Sequence, residues 1–230
     1  MRIEVLYEDN HLLVVEKPSN VPTQADESGD PDLLSLLKKD VKVRHNKPGN
    51  VFLGLVHRLD RPVGGVMVFA RTSKAASRLS DQVRTRAFGK QYLAVVEGRP
   101  SKSGTLEHTL LKDRDHNIVR VVGKGTAGAK DARLHYEVLE SRENLSLVRV
   151  ELETGRSHQI RVQFQAIGTP LSGDHKYGSA RGTRQQLALW SSAIELSHPT
   201  TKETLRFRSK PPARSPWDRF TEALGRASRA

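Results

Sequence analysis

The chain has 230 residues and carries 38 Lys and Arg against 26 Asp and Glu, a net charge of +12 with His neutral. A chain this long buries roughly 70% or more of the surface its unfolded form exposes, so it folds without a metal or disulfide staple. Cysteine is absent, which excludes a disulfide framework, a thiolate zinc site and a thiol nucleophile.

Hydrophobic residues make up 36% of the chain, too many for disorder throughout. The strongly apolar runs, such as residues 66–70, fall well short of the roughly 18 residues of a membrane span. The start, Met1-Arg2-Ile3-Glu4, does not read as a signal peptide, so a cytoplasmic protein without a membrane partner is expected.

Residues 3–7 read as a strand, followed by a turn at Asp9-Asn10 and a buried strand over 11–15. An acidic loop runs over 26–32. Leu33, Leu34, Leu36 and Leu37 then predict a short helix, and residues 42–50 a loop. Ser73 reads as the N-cap of a helix with Ala76, Leu79 and Val83 on one face and Gly89 closing it. Residues 92–96 form a strand with Tyr92, Ala94 and Val96 on one side. Three glycines over 123–130 make a connection. Val148, Val150 and Leu152 alternate with Arg149, Glu151 and Glu153 as a half-buried strand. Thr154-Gly155-Arg156 turns the chain into a helix marked by Ile160, Phe164 and Ile167 and ended by Gly168. After Pro211-Pro212, Ser215-Pro216 opens a terminal helix with Trp217, Phe220 and Leu224. Strands and helices mix without regular alternation, which predicts an α+β fold. The organisation expected is a catalytic domain over 1–210 and a basic helical extension over 211–230.

The excess charge points to a polyanionic partner. Arg71, Lys74, Arg78, Arg84, Arg86 and Lys90 face only Asp81 between residues 71 and 90. Lys202, Arg206, Arg208, Lys210, Arg214, Arg219, Arg226 and Arg229 crowd the C-terminus. Aromatics are 5%, too few for a surface of repeated stacking platforms.

Three segments could carry chemistry. In His57-Arg58-Leu59-Asp60-Arg61-Pro62, cations flank one carboxylate and favour its ionised form, as a nucleophile or charge stabiliser requires. On spacing alone, a surface Asp–Arg ion pair before a strand is the plainer reading. In Thr154-Gly155-Arg156-Ser157-His158-Gln159-Ile160-Arg161, a turn feeds a helix whose first turn carries Arg156, His158, Gln159 and Arg161, either an anion site or an ordinary solvated cap. Gly168 to Asp174, with Tyr177-Gly178 after it, reads as a structural turn. The nine His show no metal-ligand spacing, so no metal is expected.

Taken together and in order, these segments resemble the RluA-type pseudouridine synthases over nearly the whole chain. The resemblance runs from Tyr7-Glu8-Asp9-Asn10-His11 to Lys17-Pro18, through His57-Arg58-Leu59-Asp60 and Lys90-Gln91-Tyr92 to Gly98, to residues 154–161, Gly173-Asp174 and Tyr177-Gly178. Departures are Asn20 in place of a common Gly, Val63-Gly64-Gly65 in place of Thr-Ser-Gly, and Gln163 in place of a common His. The separate N-terminal RNA-binding domain of many relatives has no counterpart in this sequence.

The resemblance implies a pseudouridine synthase fold: a mixed, largely antiparallel sheet flanked by helices, with a central RNA-binding cleft. It implies isomerisation of uridine in structured ribosomal or transfer RNA, without cofactor or metal, by a protein whose simplest state is a monomer. It makes Asp60 the catalytic aspartate, Arg161 its bidentate cationic partner and Tyr92 the tyrosine that packs on the base. Arg58 is expected to fill the space left by a flipped base, and His57, Arg61, Arg156, His158, Gln159 and Ile160 to line the substrate site. Two other readings stay open: a non-catalytic RNA-binding or assembly protein on the same fold, and a glycoside hydrolase using Asp60 with a second acid.

Overall fold

A computed structural model describes residues 3–178 and 185–227. Met1, Arg2 and Arg229, counted above, lie outside the described residues. The chain packs as two compact units: residues 1–90 with 191–209, and residues 91–190 with 210–230.

The first unit opens with β1 (Glu4–Glu8) and β2 (Leu12–Lys17), joined by a tight turn. Asp9 Oδ1 accepts the backbone N–H of His11 and Leu12, each at 2.7 Å, which is how an Asx side chain replaces missing ladder bonds in a turn. Helix α1 (Leu33–Arg44) follows, with Asp32 accepting from Ser35 N at its start. It buries Leu33, Leu37 and Val41, one face at helical spacing, and is longer than the short helix expected. Residues 42–44, predicted as loop, are its last turn, because Val41 continues the buried stripe past Leu37. The short β3 (Gly54–Leu55) pairs with β4 (Gly64–Ala70). All seven residues of β4 are buried, which explains its unbroken apolar sequence. Thr72, not Ser73, caps α2 (Ser73–Arg84), its hydroxyl accepting from Ala75 N. The helix ends at Arg84 rather than at Gly89. Strand β10 (Leu189–Ser197) pairs with β11 (Thr204–Arg208), and the order in this unit is β1-β2-β4-β10, with β3 on β4 and β11 on β10. Leu12, Val14, Val66, Val68, Ala75, Leu79, Phe88 and Ile194 form its core.

The second unit is built from β5 (Gly89–Glu97), β6 (Ser103–Asp113), β7 (Ile118–Val122), β8 (Lys130–Arg142) and β9 (Leu145–Leu152). Its order is β5-β9-β8-β6-β7, antiparallel throughout. Helix α3 (Gln159–Ala166) buries Ile160, Val162 and Phe164, and the Phe164 ring meets Tyr136 at 5.2 Å between centroids. The predicted helix face was Ile160, Phe164 and Ile167; Ile167 instead caps the helix and is exposed. Near the C-terminus a 3₁₀ turn (Trp217–Phe220) precedes α4 (Thr221–Ala227), where one helix was expected. Trp217, Phe220 and Ala223 are buried with Leu93, Val95, Leu147 and Trp190, so this segment belongs to the core of the second unit. Among the described residues no helix is long and apolar enough to cross a membrane. The α+β expectation holds: four α-helices accompany the antiparallel strands among the described residues.

Candidate active site

In the first unit, Asp60 sits on a turn between β3 and β4, closed by Val63 N donating to Asp60 O at 2.9 Å. Both neighbours of Asp60 are anchored through their carbonyls. The Thr23 hydroxyl donates to Leu59 O at 2.8 Å, and the Lys17 ammonium donates to Arg61 O at 3.1 Å. Leu59, Thr23 and Lys17 are buried, while Asp60 is half-buried and Arg58 exposed. The sequence thus places one carboxylate at the surface of a turn whose backbone is held from beneath. Gly65 closes the arrangement: its φ is +114°, and a Cβ there would collide with the backbone of Ser191.

The other residues of this motif divide by role. His57 Nε2 accepts Val68 N–H at 3.0 Å, and the ring lies 5.3 Å from Phe88. Burial, assisted by the charge of Lys90, pushes its pKa down to about 3, so the imidazole is neutral at pH 7. Its Nδ1 is buried without a hydrogen-bond partner. His57 therefore braces the loop against β4. Arg61 turns its guanidinium to the acidic loop, donating to Ser28 Oγ at 3.1 Å and pairing with Asp30.

Lys17 was not singled out as a site residue from sequence. Its side chain is 0% exposed. Burial lowers its pKa to about 7, while Asp60 pulls it up and Arg61 pulls it down. The signal available was a lysine closing a run of buried apolar residues just before Pro18.

In the second unit, Tyr92 lies on β5 opposite Val150 of β9 and is 6% exposed. Arg161 is on the inner face of α3, only 5% exposed. It meets Asp174 side-on, Nε to Oδ2 at 2.7 Å and Nη2 to Oδ1 at 2.8 Å. Asp174 Oδ1 also accepts from Lys176 N at 2.9 Å and Tyr177 N at 3.0 Å. Burial alone would raise the Asp174 pKa; the Arg161 guanidinium and the two backbone N–H groups outweigh it and hold the carboxyl below its usual range. The Tyr177 ring stacks under Arg161 at 5.1 Å, and its hydroxyl accepts from Val119 N at 2.8 Å and meets His158 Nδ1 at 2.7 Å. Asp174 and Tyr177, read from sequence as parts of a turn, hold this arginine. The Gly-Asp pair was the legible signal, because Gly173 at φ +74° has no room for a Cβ beside Gln186.

The helix start differs from expectation. Arg156 precedes α3, is exposed, and donates from Nε to Asp131 O at 2.9 Å. His158 stands at the cap with φ 52°. Gln159 is buried, with Oε1 accepting from Arg156 N at 3.0 Å and Thr154 Oγ1 at 2.8 Å while Nε2 donates to Arg133 O at 3.1 Å. Its amide is spent on shaping the turn. Ile160 is 4% exposed and packs inward. Among the described residues no group of His, Cys, Asp and Glu is placed to hold a metal ion.

The α+β fold and the strongly basic chain suit a protein that acts on an anionic polymer. The chain belongs to the RNA pseudouridylate synthase family, which matches residues 11–166, and is an isomerase of RNA. It is 35% identical over 214 residues to the RNA pseudouridine synthase YhcT of Bacillus subtilis, covering 88% of this chain and 67% of that protein. It is 34% identical over 234 residues to ribosomal large subunit pseudouridine synthase D of Pseudomonas aeruginosa, covering 94% and 71%. Its fold matches that of human RNA pseudouridylate synthase domain containing 4 with a TM-score of 0.77 and 25% identity, over 98% of this chain and 93% of that one. For ribosomal large subunit pseudouridine synthase D of Nitrosomonas europaea, 34% identical, the chain spans 62% of the relative's length.

Proposed function

We propose that the protein isomerises specific uridines in structured RNA, ribosomal RNA before transfer RNA, with Asp60 as the catalytic carboxylate. The preference for ribosomal RNA rests on the named relatives that act on the large subunit. The observation that carries the Asp60 assignment is its double anchoring: the carbonyls on both sides are fixed by Thr23 and Lys17, while Asp60 itself is half-buried on the turn. A structural ion pair needs no such support.

In this reading Asp60 attacks the sugar or the uracil ring, or stabilises an electron-poor sugar, as carboxylates do in glycoside chemistry. The glycosidic bond breaks, the base turns, and a bond to carbon 5 forms. Substrate and product are isomers, so no redox cofactor is called for. Arg161 is the cation the family resemblance pairs with Asp60, and its side-on bond to Asp174 fixes the plane of its guanidinium. Tyr92 packs on the base. Arg58 fills the stack a flipped base leaves, which offsets part of the few kcal/mol that flipping costs. Arg61 and Arg156 contact phosphate, and the chain acts as a cytoplasmic monomer.

The test is tritium release from RNA labelled at uridine carbon 5, on separate ribosomal and transfer RNA pools. Wild type should release tritium from ribosomal RNA and Asp60→Asn should release none while still binding RNA. Release by Asp60→Asn at the wild-type rate would remove Asp60 from the chemistry. Binding without release by wild type would favour the non-catalytic reading.

A further inference from the structure

The acidic loop over residues 26–32 meets the turn that carries Asp60 through one side chain, Arg61. Its acids divide the work. Asp32 caps α1. Asp26 folds the loop: its Oδ1 accepts the Ser28 backbone N–H at 3.0 Å and the Ser28 hydroxyl at 2.5 Å, and its carbonyl accepts from Gly29 N at 3.4 Å. Those Ser28 bonds, and after them the charge of Arg61, hold the Asp26 carboxyl below its usual range. Ser28 Oγ accepts in turn from Asp30 N at 3.2 Å. The loop thereby sets two acceptors, Ser28 Oγ and the Asp30 carboxylate, against the two terminal nitrogens of one guanidinium. Arg61 Nη1 donates to Ser28 Oγ at 3.1 Å, and Nη2 pairs with Asp30.

A guanidinium fork set against two oxygens is also how arginine holds a phosphodiester. The pair is open to water, with the Arg61 side chain 42% and the Asp30 side chain 50% exposed, so little free energy holds it closed. The Arg61 backbone, by contrast, is pinned by the bond from Lys17 to its carbonyl. The root of the side chain is therefore fixed one residue after Asp60, while the guanidinium is able to turn from the loop to a strand seated at the turn. We propose that Ser28 and Asp30 stand in for an RNA phosphate: they hold Arg61 in the free protein, and RNA must displace them to engage it. This rests on the reading of Arg61 as a phosphate contact. Asp30 is then an internal competitor of RNA at this one subsite. It opposes only RNA that reaches Arg61, and RNA held by basic residues elsewhere is not affected. The consequence is looser binding at the turn, and so easier release, without a change in the chemical step.

The experiment measures ribosomal RNA affinity and single-turnover tritium release at saturating RNA for wild type, Asp30→Asn, Arg61→Gln and the double variant. Amide hydrogen exchange of residues 26–30 is followed with and without RNA. Asp30→Asn keeps the side chain's shape and removes its charge. It should bind RNA about three- to fivefold more tightly, the worth of an exposed pair, with a single-turnover rate within about twofold of wild type. In the Arg61→Gln background the same change should alter affinity by no more than about 1.5-fold, because the partner it frees is gone. Exchange at Ser28, Gly29 and Asp30 should rise when RNA binds to wild type, since Arg61 no longer ties the loop down. Equal tightening in both backgrounds would show Asp30 acting as a general surface charge and overturns the proposal. An Asp30→Asn affinity equal to wild type overturns it as well, and so does exchange that falls on RNA binding, which would place the loop against the RNA. The underlying reading is tested separately: Arg61→Gln in the Asp30→Asn background removes an uncontested cation and should weaken binding several-fold. No loss there would remove Arg61 as a phosphate contact, and the proposal with it.

Discussion

Arg161 lies side-on to Asp174, with both carboxylate oxygens within 2.8 Å of guanidinium nitrogens and both residues withdrawn from solvent. Buried pairs of this kind are weak sources of net stability, yet removing one partner strands the other charge. Asp174→Ala should therefore destabilise the protein by about 3–5 kcal/mol in urea unfolding. Arg161→Met should also destabilise, by less, because a stranded carboxyl can take up a proton. The pH dependence has a definite sign. The Asp174 pKa is depressed in the folded protein, so its contribution is full above the carboxylate range of the unfolded chain and is lost as acid protonates the folded state. Wild type should lose urea stability between about pH 4 and lower values more steeply than Asp174→Ala.

The Thr23 hydroxyl holds Leu59 O, one residue before Asp60. Thr23→Val keeps the shape and removes the bond, at a cost of about 1 kcal/mol in stability. Its turnover should fall several-fold while RNA affinity stays within twofold. Equal losses in both would show that the bond supports the unit as a whole rather than the carboxylate.

Gly65 and Gly29 both have positive φ, but only Gly65 has backbone where a Cβ would go. Gly29→Ala should cost about 1 kcal/mol, the strain of the left-handed backbone. Gly65→Ala should cost several times more, since the Ser191 peptide must shift, and its thermal midpoint should drop correspondingly.

The Arg61–Asp30 pair is exposed, so it contributes about 0–1 kcal/mol to stability. It does oppose Arg61 as a phosphate contact. Asp30→Ala should leave the thermal midpoint nearly unchanged and tighten RNA binding, with a salt dependence steeper by about one phosphate contact. Unchanged affinity at low salt would show that Arg61 does not meet RNA.

Much of the local structure was legible because it follows from pattern. The alternation of Val148, Val150 and Leu152 gave β9, and the spacing of Leu79 with its neighbours gave α2. Ends were less legible. Gly89 ended no helix because the chain already leaves the helix at Arg86, where φ is 64°, and Gly89 begins β5. The alternation of Ala132, Leu134, Tyr136 and Val138 with Arg133, His135 and Glu137 made β8 equally legible, whereas β6 lacks a regular apolar alternation and is held by its pairing with β8.

Sequence alone determined the α+β class, the basic character and the family, since these depend on composition, local periodicity and short ordered signatures. Tertiary structure decided which side chains carry those motifs. Arg161 required a partner 13 residues away in Asp174, and Asp60 required Thr23 and Lys17, 36 residues upstream of Leu59 and 44 upstream of Arg61 respectively. Such bonds are set by how strands and loops fold back, and a buried cation such as Lys17 can be distinguished from a solvated one only after the chain has closed around it.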